Sequence, residues 1–129
     1  LEYQCVEFVK RYYYQYYHHK MPDSYGNAKD FYNDNIADGH LNSKRNLLQY
    51  KNPSTTNPAV GDLLIFDGHT GNPYGHVAII SFVDSTKIEI IQQNPGPFAK
   101  SRIKIKKKKK DDQYKIENDR VLGWLRKSN

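Results

Sequence analysis

Cys5 is the one cysteine among 129 residues, and it stands in Tyr3-Gln4-Cys5-Val6-Glu7-Phe8, at the head of a segment with helical spacing. A helix N-terminus carries partial positive charge and backbone N–H groups without intrahelical partners. Those features lower a thiol's pKa and can receive a developing oxyanion. A thiol there becomes a working nucleophile only if an imidazole can take its proton and a third group holds the imidazole's tautomer. His76, directly after Gly75, opens an apolar strand pattern, and Gln92 and Asn94 close the next one. Strand parity puts His76, Ala78, Ile80 and Phe82 on one face, and Ile88, Ile90, Gln92 and Asn94 on one face of the following strand. Antiparallel pairing through Asp84-Ser85-Thr86 sets the start of the first strand beside the end of the second, so His76 falls near Gln92 and Asn94. Glu89 is excluded, because parity turns it to the other face. A helix packed on the His76 face would bring Cys5 to the same rim.

The elements that must position these residues are readable in order. Cys5, Phe8, Val9, Tyr12, Tyr13, Tyr16 and Tyr17 follow the i, i+3, i+4 spacing of an amphipathic helix, with Val6 and Tyr14 off the stripe and Lys10 and Arg11 outward. The pattern fades at His18-His19-Lys20 and must stop before Met21-Pro22. Adjacent histidines diverge on a helix, so His18 and His19 read as partners of the C-terminal dipole rather than metal ligands. Asn27 caps a short helix through Tyr32. The stretch from Asn33 to Lys51 reads as irregular and polar, and Asn52 to Pro58 as a loop. From Asp62 the period becomes strand-like. Strands are expected from Asp62 to Phe66, His76 to Val83, Lys87 to Gln93 and Val121 to Leu125. A protruding lysine-rich hairpin from Ser101 to Glu117 turns at Asp111-Asp112. Lysines along an exposed strand also discourage edge pairing. The expected fold class is α+β: an N-terminal helix carrying the cysteine, packed on an antiparallel sheet of about five strands.

Composition narrows the classes further. A chain of 129 residues is sized for one domain. It opens at Leu1 inside its first element, so the domain, residues 1–129, is expected to continue upstream by a few residues or more. No run reaches the roughly eighteen apolar residues of a membrane span. One cysteine rules out an internal disulfide and a multi-cysteine metal site. His18, His19, His40 and His69 have no ligand spacing, so no metal or other cofactor is expected. Lys and Arg number 20 against 14 Asp and Glu, a formal charge of +6. Seven of the cations lie between Arg102 and Lys110, which suits an anionic polymer. The 11 tyrosines could stack bases, but their helical spacing is that of core packing, so nucleic acid is not the expected partner.

Taken together, Tyr3-Gln4-Cys5-Val6-Glu7-Phe8, Gly61-Asp62-Leu63-Leu64, Gly75-His76-Val77-Ala78-Ile79-Ile80, Gln92-Gln93-Asn94 and Leu122-Gly123-Trp124 resemble the CHAP family of papain-like cysteine amidohydrolases. Within that family the resemblance is nearest to the amidase half of the glutathionylspermidine synthetase/amidases, to which Asn33-Asp34-Asn35-Ile36 adds. The resemblance runs over nearly the whole chain. It implies a papain-like CHAP fold, Cys5 as nucleophile, His76 as general base and Asn94 as a polar group of the site. It also implies Gln4, with the Cys5 backbone N–H, as oxyanion donors. Many family members carry Glu where this chain has Gln92, and a neutral amide stabilises an imidazolium less than a carboxylate does.

The expected activity is hydrolysis of a peptide-type amide through a Cys5 thioester. Two substrates compete: bacterial cell-wall peptidoglycan, which the basic surface favours, and glutathionylspermidine, which the nearest resemblance favours. A third reading is a weakly active or inactive module that holds anionic wall polymer through Lys104, Lys106, Lys107, Lys108, Lys109 and Lys110. A wall-acting enzyme would be secreted or periplasmic, a glutathionylspermidine amidase cytoplasmic. The expected state is a monomer.

Overall fold

The computed structural model describes residues 2–19, 27–92 and 102–128, with side chains from Cys5 onward in the first helix. Helix α1 spans Glu2–Tyr17, so Cys5 lies within its first turn rather than ahead of it. The buried line is Cys5, Val6, Val9 and Tyr13. Val6, expected off the stripe, is inside it, and Tyr16, expected on it, is 69% exposed. The stripe is therefore rotated toward Val6, and Tyr12, Tyr16 and Tyr17 pack on one another at its border. His18 ends the helix in the left-handed region (φ 52), and its N–H donates to Tyr14 O at 3.1 Å, satisfying a terminal carbonyl. The dipole role expected of the histidine side chains falls instead to Lys127, whose Nζ donates to Tyr17 O at 2.9 Å. His19 is buried, its Nε2 bonded to Arg45 O.

A short 3-10 helix, Ala28–Phe31, follows. Its start is held by the Asn27–Asp30 capping pair and by Lys29 N–H donating to Tyr74 O. Eight strands come next: β1 (His40–Asn42), β2 (Leu47–Lys51), β3 (Leu63–Phe66), β4 (His76–Val83), β5 (Lys87–Ile91), β6 (Arg102–Lys110), β7 (Gln113–Ile116) and β8 (Val121–Arg126). They form one antiparallel sheet in the order β1-β2-β8-β3-β4-β5-β6-β7, wider than the expected five strands.

The extra strands β1 and β2 fall where the sequence reads as irregular. Their buried positions include amides rather than an apolar alternation. Asn42 and Gln49 are 3% and 1% exposed. Asn42 Nδ2 donates to Phe31 O and to Gln49 Oε1, and Gln49 Nε2 donates to Asn33 O while its Oε1 accepts Asn33 N–H. Buried polar groups satisfied in this way carry no hydropathy signal. The lysine hairpin also differs from a free protrusion. The first half of β6 pairs with β5 and only its second half with β7. Its tip is the two-residue Asp111-Asp112 turn with both φ values positive, the geometry that matches strand twist.

The sheet bends until its two ends meet. Ser54, beyond β2, pairs with Tyr114 of β7 through two backbone bonds, and the Asn52 side chain brackets Ile116 by donating to its carbonyl and accepting its N–H. The chain thus has two apolar layers. On the outer face α1 packs its Cys5, Val6, Val9 and Tyr13 with Leu63, Ile65, Val77, Ile79 and Leu125. Inside the curl lie Leu64, Phe66, Ala78, Ile80, Ile88, Ile90, Ile116 and Trp124.

Candidate active site

His76 is the first residue of β4. Gly75 ahead of it has φ +78, a conformation that glycine adopts without a Cβ penalty. A Cβ there would stand 2.4 Å from Phe66 O and 2.7 Å from Lys29 Cβ, so the glycine lets the strand start tightly between β3 and the 3-10 helix. Ladder pairing sets His76 opposite Phe66, with the two rings 5.5 Å apart. As parity required, Gln92 stands on the same face, and His76 Nε2 bonds to Gln92 Oε1 at 2.5 Å. An amide oxygen only accepts, so the ring carries its proton on Nε2 and leaves the Nδ1 lone pair available. Burial pushes His76 below the usual histidine value, with the Arg120 charge acting in the same direction and the Gln92 bond opposing both. Burial thus favours the neutral ring, the form able to accept a proton.

These residues line a cleft of about 550 Å³ at the mouth of the curl, within the usual range for a small-ligand site. Its walls include Phe66, Ile90 and Ile103, with Asp67, Glu117 and Arg120 as charged groups. Phe82, expected on the same face as His76, Ala78 and Ile80, is not part of it. A bulge between Ile80 and Phe82 shifts the β4–β5 register, turning Phe82 out to 41% exposure under the Lys87 ammonium.

Cys5 is reached from the other side. Its layer is that of Val77 and Ile79, whereas His76 shares parity with Ala78 and Ile80 inside the curl. The expectation that α1 packs on the His76 face is therefore wrong, and Cys5, 4% exposed, is not among the described residues lining the cleft. Tyr13 Oη donates to Gly61 O at 2.6 Å, and Gly61 N–H donates to Ile80 O at 2.8 Å, so the helix is pinned beside Ile80. Lys127 Nζ holds the last turn. Cys5 and His76 thus belong to opposite faces of the sheet.

Asp62 holds this frame. Its carboxylate takes Arg126 Nε and Nη2 at 2.9 and 2.7 Å and Ala59 N–H at 2.8 Å. Asn94 and the side chain of Gln4 lie outside the described residues. Arg120 was not singled out from the sequence. Asn118-Asp119-Arg120 precedes a strand that pairs with β3 only in the folded sheet, where Phe66 has Val121 on one side and His76 on the other. No local pattern signals that.

A helix with a first-turn cysteine lies on one face of an antiparallel sheet whose other face carries a histidine–amide pair. The chain belongs to the CHAP domain family, whose sequence model matches residues 1–94. CHAP domains are generally amidases or other hydrolases acting on peptide substrates. The glutathionylspermidine synthase of Crithidia fasciculata is 25% identical over 136 residues, an alignment covering 97% of this chain and 19% of that protein. The chain thus spans about a fifth of that relative. A solved structure described as "The crystal structure of Ly7917" aligns with 18% identity and a TM-score of 0.40, covering 76% of this chain and 41% of the other. Membership of that family suggests an amidohydrolase. Among the described residues no helix is long and apolar enough to cross a membrane.

Proposed function

We propose that the chain is a cysteine amidohydrolase that cleaves a peptide-type amide through a Cys5 thioester. The observation that carries this reading is the His76–Gln92 bond in the cleft, which leaves Nδ1 as the base in a chain of the CHAP family. Cys5 Sγ attacks the amide carbonyl while His76 Nδ1 accepts the thiol proton. The tetrahedral intermediate collapses as His76 returns that proton to the leaving amine, and the C–N bond breaks. Water then attacks the thioester with His76 as base, the acid leaves, and the thiol is restored. Gln92 orients the imidazole, Asn94 adds a second amide to the rim, and the Gln4 amide serves the oxyanion.

The substrate favoured is bacterial cell-wall peptide. A +6 chain suits an anionic wall, and a cationic polyamine gains nothing from it. Glutathionylspermidine is the alternative, resting on the relative's name. Incubating the protein and its Cys5→Ala variant with purified peptidoglycan and with glutathionylspermidine decides between them. Amine release from either one by the Cys5 protein alone supports hydrolysis, and release from neither sinks it.

A second reading, a module that holds anionic wall polymer, has its own support. The β5–β6–β7 register puts Lys87, Lys104, Lys106, Lys108, Lys110 and Lys115 on one face, with about 7 Å between alternate residues of a strand. Only Lys87 and Lys108 of these have carboxylate partners among the described residues, Asp84 and Glu117. Salt-sensitive sedimentation with peptidoglycan-bound polymer by the Cys5→Ala protein would support this reading, whatever the outcome for catalysis.

A further inference from the structure

The cleft has a charge that the hydrolytic reading leaves without a task. Arg120 lines it together with His76 and Gln92 and lies close enough to act electrostatically on the His76 ring. The backbone fixes its position: its carbonyl accepts Asp67 N–H at 2.7 Å, and its N–H donates to Asn118 Oδ1 at 2.9 Å. Its guanidinium is exposed and has no carboxylate partner among the described residues, where the ion pairs are Lys87–Asp84, Lys108–Glu117 and Arg126–Asp62. Of the two acids in the cleft, Glu117 is taken by Lys108 at 3.7 Å, and Asp67 accepts Gly68 N–H. Ile90, Ile103 and Ile105 give the same cleft an aliphatic wall. A planar cation with a fixed backbone, beside an apolar wall and next to a general base, is suited to a carboxylate on a short apolar stem.

We propose that this cleft binds the acyl portion of a peptide amide through a carboxylate that pairs with Arg120. The inference rests on the reading that Cys5 and His76 cleave such an amide, and it adds a selectivity: the preferred acyl group is anionic. Both candidate substrates carry a free carboxylate on that side of an amide, so the chemistry is shared and the experiment separates the sources.

The test uses the Cys5→Ala protein, which holds substrate intact, and measures binding by calorimetry. Two probes are used, soluble muropeptides and glutathionylspermidine, each with its carboxylates free and methyl-esterified. Esterification is expected to weaken binding about tenfold, the scale of one charge-assisted pair at an exposed site. Arg120→Gln should abolish that discrimination and Arg120→Lys keep part of it. The probe that discriminates names the source. Equal binding of free and esterified probes, discrimination that survives Arg120→Gln, or binding of neither probe would each overturn the subsite. Turnover by the Cys5 protein is scored separately. Hydrolysis without discrimination removes the subsite and leaves the amidase reading standing, whereas discrimination without hydrolysis does the reverse.

Discussion

Replacing Gln92 by Glu puts a carboxylate where His76 Nε2 now meets an amide oxygen at 2.5 Å. The wild-type ring is held below the usual histidine value by burial and by Arg120, against the Gln92 bond. A full negative charge about 4 Å from the ring centre, at an effective dielectric near 20, stabilises the imidazolium by up to about 4 kcal/mol. Loss of the amide bond and water at the cleft mouth reduce that, leaving a rise of roughly one to three pKa units. The assay is an NMR titration of the His76 ring in the Cys5→Ala background, so that the thiol does not titrate alongside it. Gln92→Leu, which removes the acceptor, should move the value further down. In the Cys5 protein, the acid limb of kcat/KM should shift up with Gln92→Glu and down with Gln92→Leu. The sign for stability follows from the lowered folded value. As pH falls from about 6.5, the unfolded chain takes up its proton first, so the His76 contribution is present above that pH and is lost below it. A His76 value that stays put in both variants would refute the electrostatic reasoning.

Other consequences concern the frame. Tyr13→Phe removes the 2.6 Å bond to Gly61 O and should cost about 1–3 kcal/mol, read as a lower urea midpoint at unchanged m-value. Asp62→Ala strips Arg126 of its bidentate partner and Ala59 N–H of its acceptor. Because Arg126 is partly solvated, about 2 kcal/mol is expected, the low side for a broken buried pair. Gly75→Ala must hold φ +78 and push against Phe66 O. It should cost about 1–3 kcal/mol and lower kcat beyond the stability loss, because His76 is the next residue, and a kcat matching wild type would count against the tight start of β4. Changing Lys104, Lys106, Lys108 and Lys110 together to Gln should weaken sedimentation with wall polymer most at low salt, and unchanged binding would leave that face a solubilising one.

The local patterns that were legible are those whose cause is local. Helical spacing marks α1 because one helix face is apolar, and alternation marks β4 and β5 because one sheet face is. The parity of β4 and β5 brings His76 to Gln92, since a two-residue period and an antiparallel turn leave no other pairing for them. The positive-φ Asp111-Asp112 turn was legible for the same reason. β1 and β2 were not, since Asn42 and Gln49 are buried by hydrogen bonds to Phe31 and Asn33 that exist only once distant segments meet. The bulge that expels Phe82 likewise leaves no mark in an alternating string.

Sequence by itself determined that the chain carries one thiol, in the first turn of a helix, and one histidine at a strand start beside an amide. Only the tertiary structure decided which face that helix covers. Alternation makes both faces of β4 apolar, with Val77 and Ile79 on one and Ala78 and Ile80 on the other, so periodicity alone cannot assign α1 to either. The curl that joins Ser54 to Tyr114 encloses the His76 face and leaves the Val77 face for the helix. That choice leaves Cys5 and His76 on opposite faces of the sheet, with Arg120 among the residues that line the His76 cleft.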